Sequence, residues 1–177
     1  MSANLLHLEE FNVDGIIINL CHESYNDEVY QQIMDRGTPL VFFDRVPGKL
    51  LDASKVMVND NIKAALMVEH LISTGRKRIA HIMGPSTIRN AHERAAGYQR
   101  ILDKHGIYDP DLIIKSEGTT FEHGRIAAQQ LLNNKINFDS IFAFTDTLAI
   151  GAMVASSVPE KLATAICSGI LIRCSRR

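Results

Sequence analysis

Several residues have types suited to holding a small polar molecule, and each follows closely on an apolar run. Asp44 and Arg45 follow one run. Ser86 and Thr87 follow another, with Arg94 shortly beyond. Glu117, Thr119, Thr120 and Phe121 follow a third, and Thr145 and Asp146 a fourth. Carboxylates accept hydroxyl protons, a guanidinium donates in a planar fork, and an aromatic ring stacks on the face of a sugar or base. Each residue also has a plainer role. Thr145 or Asp146 can cap a helix, Asp44 can pair with Arg45, Arg94 can lie in solvent, and Phe121 can belong to the core.

Signals for covalent or metal chemistry are missing from the sequence. His22-Glu23 and His92-Glu93 lack a second histidine four residues after the first. Cys167 and Cys174, with six residues between them, have no partners at zinc spacing. Neither a phosphate-binding Gly-Lys-Ser/Thr loop, a Gly-x-Gly-x-x-Gly turn after a strand, nor a Gly-x-Ser-x-Gly elbow occurs. The seven histidines are scattered, and each is expected to be solvated or satisfied. The expectation is a protein that is not an enzyme and that holds no cofactor and no metal. An enzyme reading would rest on the fold alone.

The elements that position these residues alternate. Strands are expected at 13–18, 40–43, 55–58, 78–83, 112–114 and 140–144. Helices are expected at 27–36, from the Asn59-Asp60-Asn61 cap to about Thr74, and at 91–105, 122–133 and 146–155. Gly37, Gly75 and Gly106 supply helix stops, and Pro47-Gly48 marks a turn. Strands separated by helices predict right-handed βαβ units in parallel sheets. Continuous apolar strands predict sheets covered on both faces. In such an α/β fold, ligands bind at the carboxyl ends of the strands, where the residues above fall. Arg76-Lys77-Arg78 sits at a helix end, where cations favour the dipole.

Composition bounds the alternatives. A chain of 177 residues carrying a net charge of −1 lacks the positive excess that non-specific nucleic-acid or membrane-surface binding requires. With 46% hydrophobic and 22% charged residues it reads as globular. Three cysteines (Cys21, Cys167, Cys174) do not make a disulfide framework. No secretory signal or membrane-spanning run is visible, so a cytoplasmic location is expected.

The motifs then resemble a family. Val13-Asp14-Gly15-Ile16-Ile17, Pro39-Leu40-Val41-Phe42-Phe43-Asp44-Arg45 and Val58-Asn59-Asp60-Asn61 come first. His70-Leu71-Ile72, Arg78-Ile79-Ala80, Glu93-Arg94 with Gly97-Tyr98, and Phe142-Ala143-Phe144-Thr145-Asp146 with Ala149-Ile150-Gly151-Ala152 follow in order. Over residues 5 to 153 they are similar to the LacI/GalR family of bacterial transcription regulators. The resemblance implies a two-lobed, periplasmic-binding-protein-like sensor domain. A partial N-terminal lobe would occupy 1–58 and the C-terminal lobe 59–153, with a sugar or sugar derivative in the cleft between them. Carried over by position, its contacts are Asp44, Arg94, the stacking ring Phe121, and the pair Thr145 and Asp146. The intact regulator is expected to be a homodimer that meets operator DNA through a helix-turn-helix not seen in this chain.

The chain also departs from that pattern. The first βα units of the N-terminal lobe are not recognisable. Residues 154–177 form an atypical tail, with four cations against the single carboxylate Glu160. Val158-Pro159-Glu160 is not followed by the expected strand and acidic pair, so the tail reads as out-of-frame translation or a truncated gene product. A fold missing those pieces is expected to be incomplete and marginally stable. The alternative function is a soluble sugar-binding protein of a transport system, which the absence of a signal peptide disfavours.

Overall fold

The structure, a computed structural model, describes residues 5, 7, 8, 11, 13–20, 27–46 and 52–155, with the backbone of 164–167 and 170–173. Pro47-Gly48, Cys21, Cys174 and the Val158-Pro159-Glu160 segment lie outside the described residues. The chain divides into two compact units, Met1–Val58 and Asn59–Arg177.

In the first unit, β1 (Ile16–Ile18), α1 (Asp27–Asp35), β2 (Leu40–Phe43) and β3 (Ser54–Val56) form a parallel sheet in the order β1-β2-β3. Leu40 and Phe42 alternate inward and cluster with Tyr30 and Ile33 of α1. The Tyr30 and Phe42 rings meet edge-on at 5.3 Å. Ile17, Phe43 and Val56, which point the other way, remain exposed. Coverage of both faces, expected from the apolar strands, therefore does not hold for this sheet. Two strands also differ from expectation. The first begins at Ile16 rather than Val13, because its partner begins at Leu40 and Ile16 N–H already bonds the Pro39 carbonyl at 2.8 Å. The third ends at Val56 rather than Val58, because Val56 pairs with Phe43, the last residue of β2.

The second unit contains α2 (Asp60–Ser73), β4 (Ile79–Met83), α3 (Arg89–Lys104), a 3₁₀ turn (Pro110–Leu112), β5 (Ile113–Lys115), α4 (Phe121–Asn133), β6 (Ser140–Ala143) and α5 (Asp146–Val154). Two strands follow, β7 (Thr164–Cys167) and β8 (Ile170–Arg173). The sheet order is β5-β4-β6-β7-β8, parallel except for β8, which runs antiparallel to β7. Within the tail, whose sequence shows no clear period, β7 pairs with β6 in parallel. Asn59 caps α2 by accepting from Ile62 N–H at 3.0 Å. Gly75, at φ +91°, lets the chain leave that helix. α3 begins at Arg89, two residues before the expected Ala91, after extended backbone at Ile88.

This sheet is covered on both faces. Ile79 and Phe142 pack with Val68, Leu71, Tyr98 and Leu102 of α2 and α3. Ala80, Ile82, Ile141 and Ala143 pack with Ala127, Leu131, Leu148 and Ala152 of α4 and α5. All five residues of β4 are buried, which explains why that strand reads as a continuous apolar run. The basic run at 76–78 helps fasten the entry to β4. Arg78 Nε donates to the Asn137 carbonyl at 2.7 Å and its Nη2 to Asp109 Oδ2 at 3.0 Å. Asp139 accepts from the Lys77 and Arg78 backbone N–H groups.

Candidate functional site

The winding of the second sheet picks out one place for a ligand. From β4 the chain crosses by α3 to β5 on one side, then returns by α4 to β6 on the other. Connections thus diverge between β4 and β6, and a crevice opens outside their carboxyl ends at such a switch point. The residues leaving β4 are Gly84-Pro85-Ser86-Thr87. Those leaving β6 are Phe144-Thr145-Asp146.

Arg94 reaches this point from α3. Its Nε donates to Asp60 Oδ1 at 2.6 Å and its Nη1 donates to the Phe144 carbonyl. Its guanidinium carbon lies 5.0 Å from the centre of the Phe144 ring, within the range of a cation–π contact. The side chains of Arg94 and Asp60 are 19% and 9% exposed. Phe144 continues the β4–β6 pairing, its N–H bonding the Ile82 carbonyl at 2.9 Å. Its ring occupies the space a side chain on Gly84 would take, since a Cβ there would lie 2.2 Å from Phe144 Cδ1. Gly84 therefore leaves room for the ring over which Arg94 is held.

Thr145 and Asp146 open α5. Thr145 is the N-cap, its Oγ1 accepting from Leu148 N–H at 3.3 Å, and Asp146 is the first helical residue and partly exposed. The capping role is real, and its location at the switch point leaves both residues at the rim. Phe121 begins α4 and is 40% exposed, so it is not a core residue. Thr120 caps that helix and its hydroxyl meets His123 Nδ1 at 2.6 Å. Ser86, Thr87 and Glu117 are exposed, and His92 Nε2 donates to the Ser86 carbonyl at 2.6 Å.

Asp44 belongs to the first unit, where it directly follows β2. Its backbone has φ +63°, unusual for a side chain with a Cβ. Arg45 N–H bonds the Phe43 carbonyl at 2.7 Å across it, forming a γ-turn, while Asp44 N–H bonds the Val56 carbonyl at 3.0 Å. The exposed carboxylate is thus carried on a tight, strained turn at a strand end, the kind of place where strain and function coincide.

Two residues near Arg94 were missed in the sequence. Asp60, 34 residues earlier, reads as part of a helix cap, and its pairing with Arg94 is a tertiary fact. Asn90 is 8% exposed and lies one helical turn before Arg94 on α3. The i, i+4 spacing from Arg94 was the available signal. His81 also departs from expectation, being neither solvated nor fully satisfied. It is wholly buried in β4, Nδ1 lies 2.9 Å from the Phe142 carbonyl, and Nε2 has no partner among the described residues. Among the described residues no group of three or more His, Cys, Asp or Glu side chains is placed to hold a metal. No described helix is long and apolar enough to cross a membrane.

The profile described as "periplasmic binding protein domain" matches residues 8–157. The HTH-type transcriptional regulator CelR of Thermobifida fusca is 28% identical over 143 residues, 80% of this chain and 42% of that protein. The ribose operon repressor of Halalkalibacterium halodurans is 28% identical over 154 residues, 87% of this chain and 44% of the relative. The chain thus spans about two fifths of the length of these curated relatives. A solved sugar-binding transcriptional regulator of the LacI family from Escherichia coli, complexed with phosphate, superposes with a TM-score of 0.75 at 28% identity. That match covers 92% of this chain and 59% of the solved one.

Proposed function

The chain belongs to the periplasmic binding protein domain family, in the form carried by LacI-type regulators, and from that premise we propose that it senses a small neutral sugar or sugar derivative. The contacts proposed are Asp44 in the first unit and Arg94, Phe121, Thr145 and Asp146 in the second. One observation carries the reading: a guanidinium fixed by Asp60 and the Phe144 carbonyl stands where the β4 and β6 ends diverge, beside the Thr145-Asp146 helix start.

Charge favours a neutral ligand. Asp60 balances Arg94, and the carboxylates of Asp44 and Asp146 add negative charge at the strand ends. Carboxylates accept from sugar hydroxyls and repel a phosphate ester. In the whole regulator, a cytoplasmic homodimer, such a ligand would shift the balance between two states of operator affinity. It does so only by binding the two states unequally.

Isothermal titration of this chain with a panel of aldopentoses, aldohexoses, their phosphate esters and inorganic phosphate tests the reading. Saturable binding of a neutral sugar, weakened at least tenfold by Arg94→Lys and by Asp146→Asn, is the expected result. Lys keeps the charge of Arg94 but not its planar fork. Binding confined to the phosphorylated probes, or neutral-sugar binding unchanged in both variants, overturns it. In a gel shift with promoter DNA, residues 1–177 are expected to give no sequence-specific retention.

A further inference from the structure

We propose that His81 is an acid-sensitive lock in the core of the second unit, a buried neutral imidazole that takes up a proton only when the surrounding packing opens. The ring lies against two others. Its centre is 4.9 Å from those of Tyr98 and Phe142, at interplanar angles of 28° and 21°. It is fully buried in β4, an interior strand flanked by β5 and β6, so it joins the sheet to α3 at the core of the unit.

The hydrogen bonding fixes its state. The partner of Nδ1 is a carbonyl, Phe142 O, which only accepts, so Nδ1 carries the proton and Nε2 presents a lone pair. Nε2 is buried and has no partner among the described residues. A second proton would create a buried cationic N–H with no acceptor, which is far more costly than the neutral ring. The titratable and charged groups on the elements around it do not relieve this. On α3, Tyr98 donates its hydroxyl to the Ile79 carbonyl, and burial raises its pKa, keeping the phenol neutral. Arg94, also on α3, is cationic and disfavours a second positive charge. Asp60 at the start of α2 is engaged by Arg94. Tyr108 and Asp109 lie beside Tyr98 beyond α3, and Lys115 at the end of β5 is exposed. Burial accordingly lowers the His81 pKa from 6.5 to about 4, with Arg94 adding to the effect and the Phe142 bond opposing it.

The direction of the pH effect follows. Above pH 6.5 the imidazole is neutral in both folded and unfolded chains and adds no pH dependence. Between 6.5 and about 4 the unfolded chain binds a proton that the folded chain refuses. The folding constant then falls up to tenfold for each pH unit. Acid thus loosens the unit that carries Arg94, whichever ligand it senses.

Urea titrations of the full chain at half-unit steps from pH 7.5 to 5.0 test this, with His81→Phe and His81→Asn as comparisons. The wild type is expected to lose at least tenfold more of its folding constant across this range than either variant. Asn retains an N–H for the Phe142 carbonyl without a titrating ring. Equal losses in all three proteins overturn the proposal. Should neither variant fold, ring ¹⁵N NMR of the wild type decides. A His81 ring that stays the neutral Nδ1–H form to pH 5 supports the lock, and titration near 6.5 refutes it.

Discussion

Cutting the bond between Asp60 and Arg94 is the most direct test of how the site is held. Asp60 Oδ1 accepts from Arg94 Nε at 2.6 Å with both side chains largely buried. Removing one partner of so enclosed a pair leaves the other charge poorly solvated, which costs about 3 kcal/mol. Asp60 also stands in the first turn of α2, where a carboxylate favours the helix dipole by about 0.5 kcal/mol. Asp60→Ala should therefore cost about 3–4 kcal/mol, equivalent to roughly a 10 °C fall in melting temperature for a chain of this size. Arg94→Met should cost about 3 kcal/mol by the same reasoning. The double variant should be less damaged than the sum, because with both partners removed no unpaired charge is left in the enclosed site. The assay is urea unfolding followed by far-UV circular dichroism at pH 7, analysed as a double-mutant cycle. A coupling of about 2 kcal/mol is expected. Little of it should be lost in 1 M salt, because buried pairs are weakly screened. A coupling below about 0.5 kcal/mol would show that the two groups are no more than neighbours, and the view of Arg94 as a fixed donor would fall with it.

Gly84→Ala places a methyl group 2.2 Å from the Phe144 ring. The ring must move, at about 1–3 kcal/mol in stability, and sugar affinity measured by titration should fall at least tenfold because Arg94 lies over that ring. Thr145→Ala removes the cap of α5 and should lower stability by about 1 kcal/mol in urea unfolding. Asn90→Ala removes a nearly buried amide one turn from Arg94. If Asn90 faces the ligand, affinity should drop about tenfold while stability changes by no more than about 1 kcal/mol. A loss confined to stability would make it a packing residue.

What the sequence made legible was governed by local chemistry, and what it hid depended on distant partners. β2 at 40–43 coincides with its expected bounds, and α2 begins beside the Asn59 cap and ends just before Gly75. A glycine at φ +91° and an amide accepting from Ile62 N–H act within a few residues, so their signals survive in a linear reading. Strand lengths were less readable, since β1 and β3 extend only as far as β2 offers them partners. The tail illustrates the same limit. Neither β7 nor β8 has a helical or strand period strong enough to announce itself, yet β6 supplies an edge on which β7 pairs and β8 follows. Residues at strand ends could be nominated because parallel topology forces loops to one rim. Which of them is held, and by what, could not, because Asp60 meets Arg94 only once α2 and α3 pack together. Gly97 permits that packing, as a Cβ there would lie 2.2 Å from the Asn61 carbonyl oxygen, one residue from Asp60. The bond that fixes Arg94 in the proposed site therefore depends on a helix crossing whose necessary glycine lies three residues from the arginine it serves.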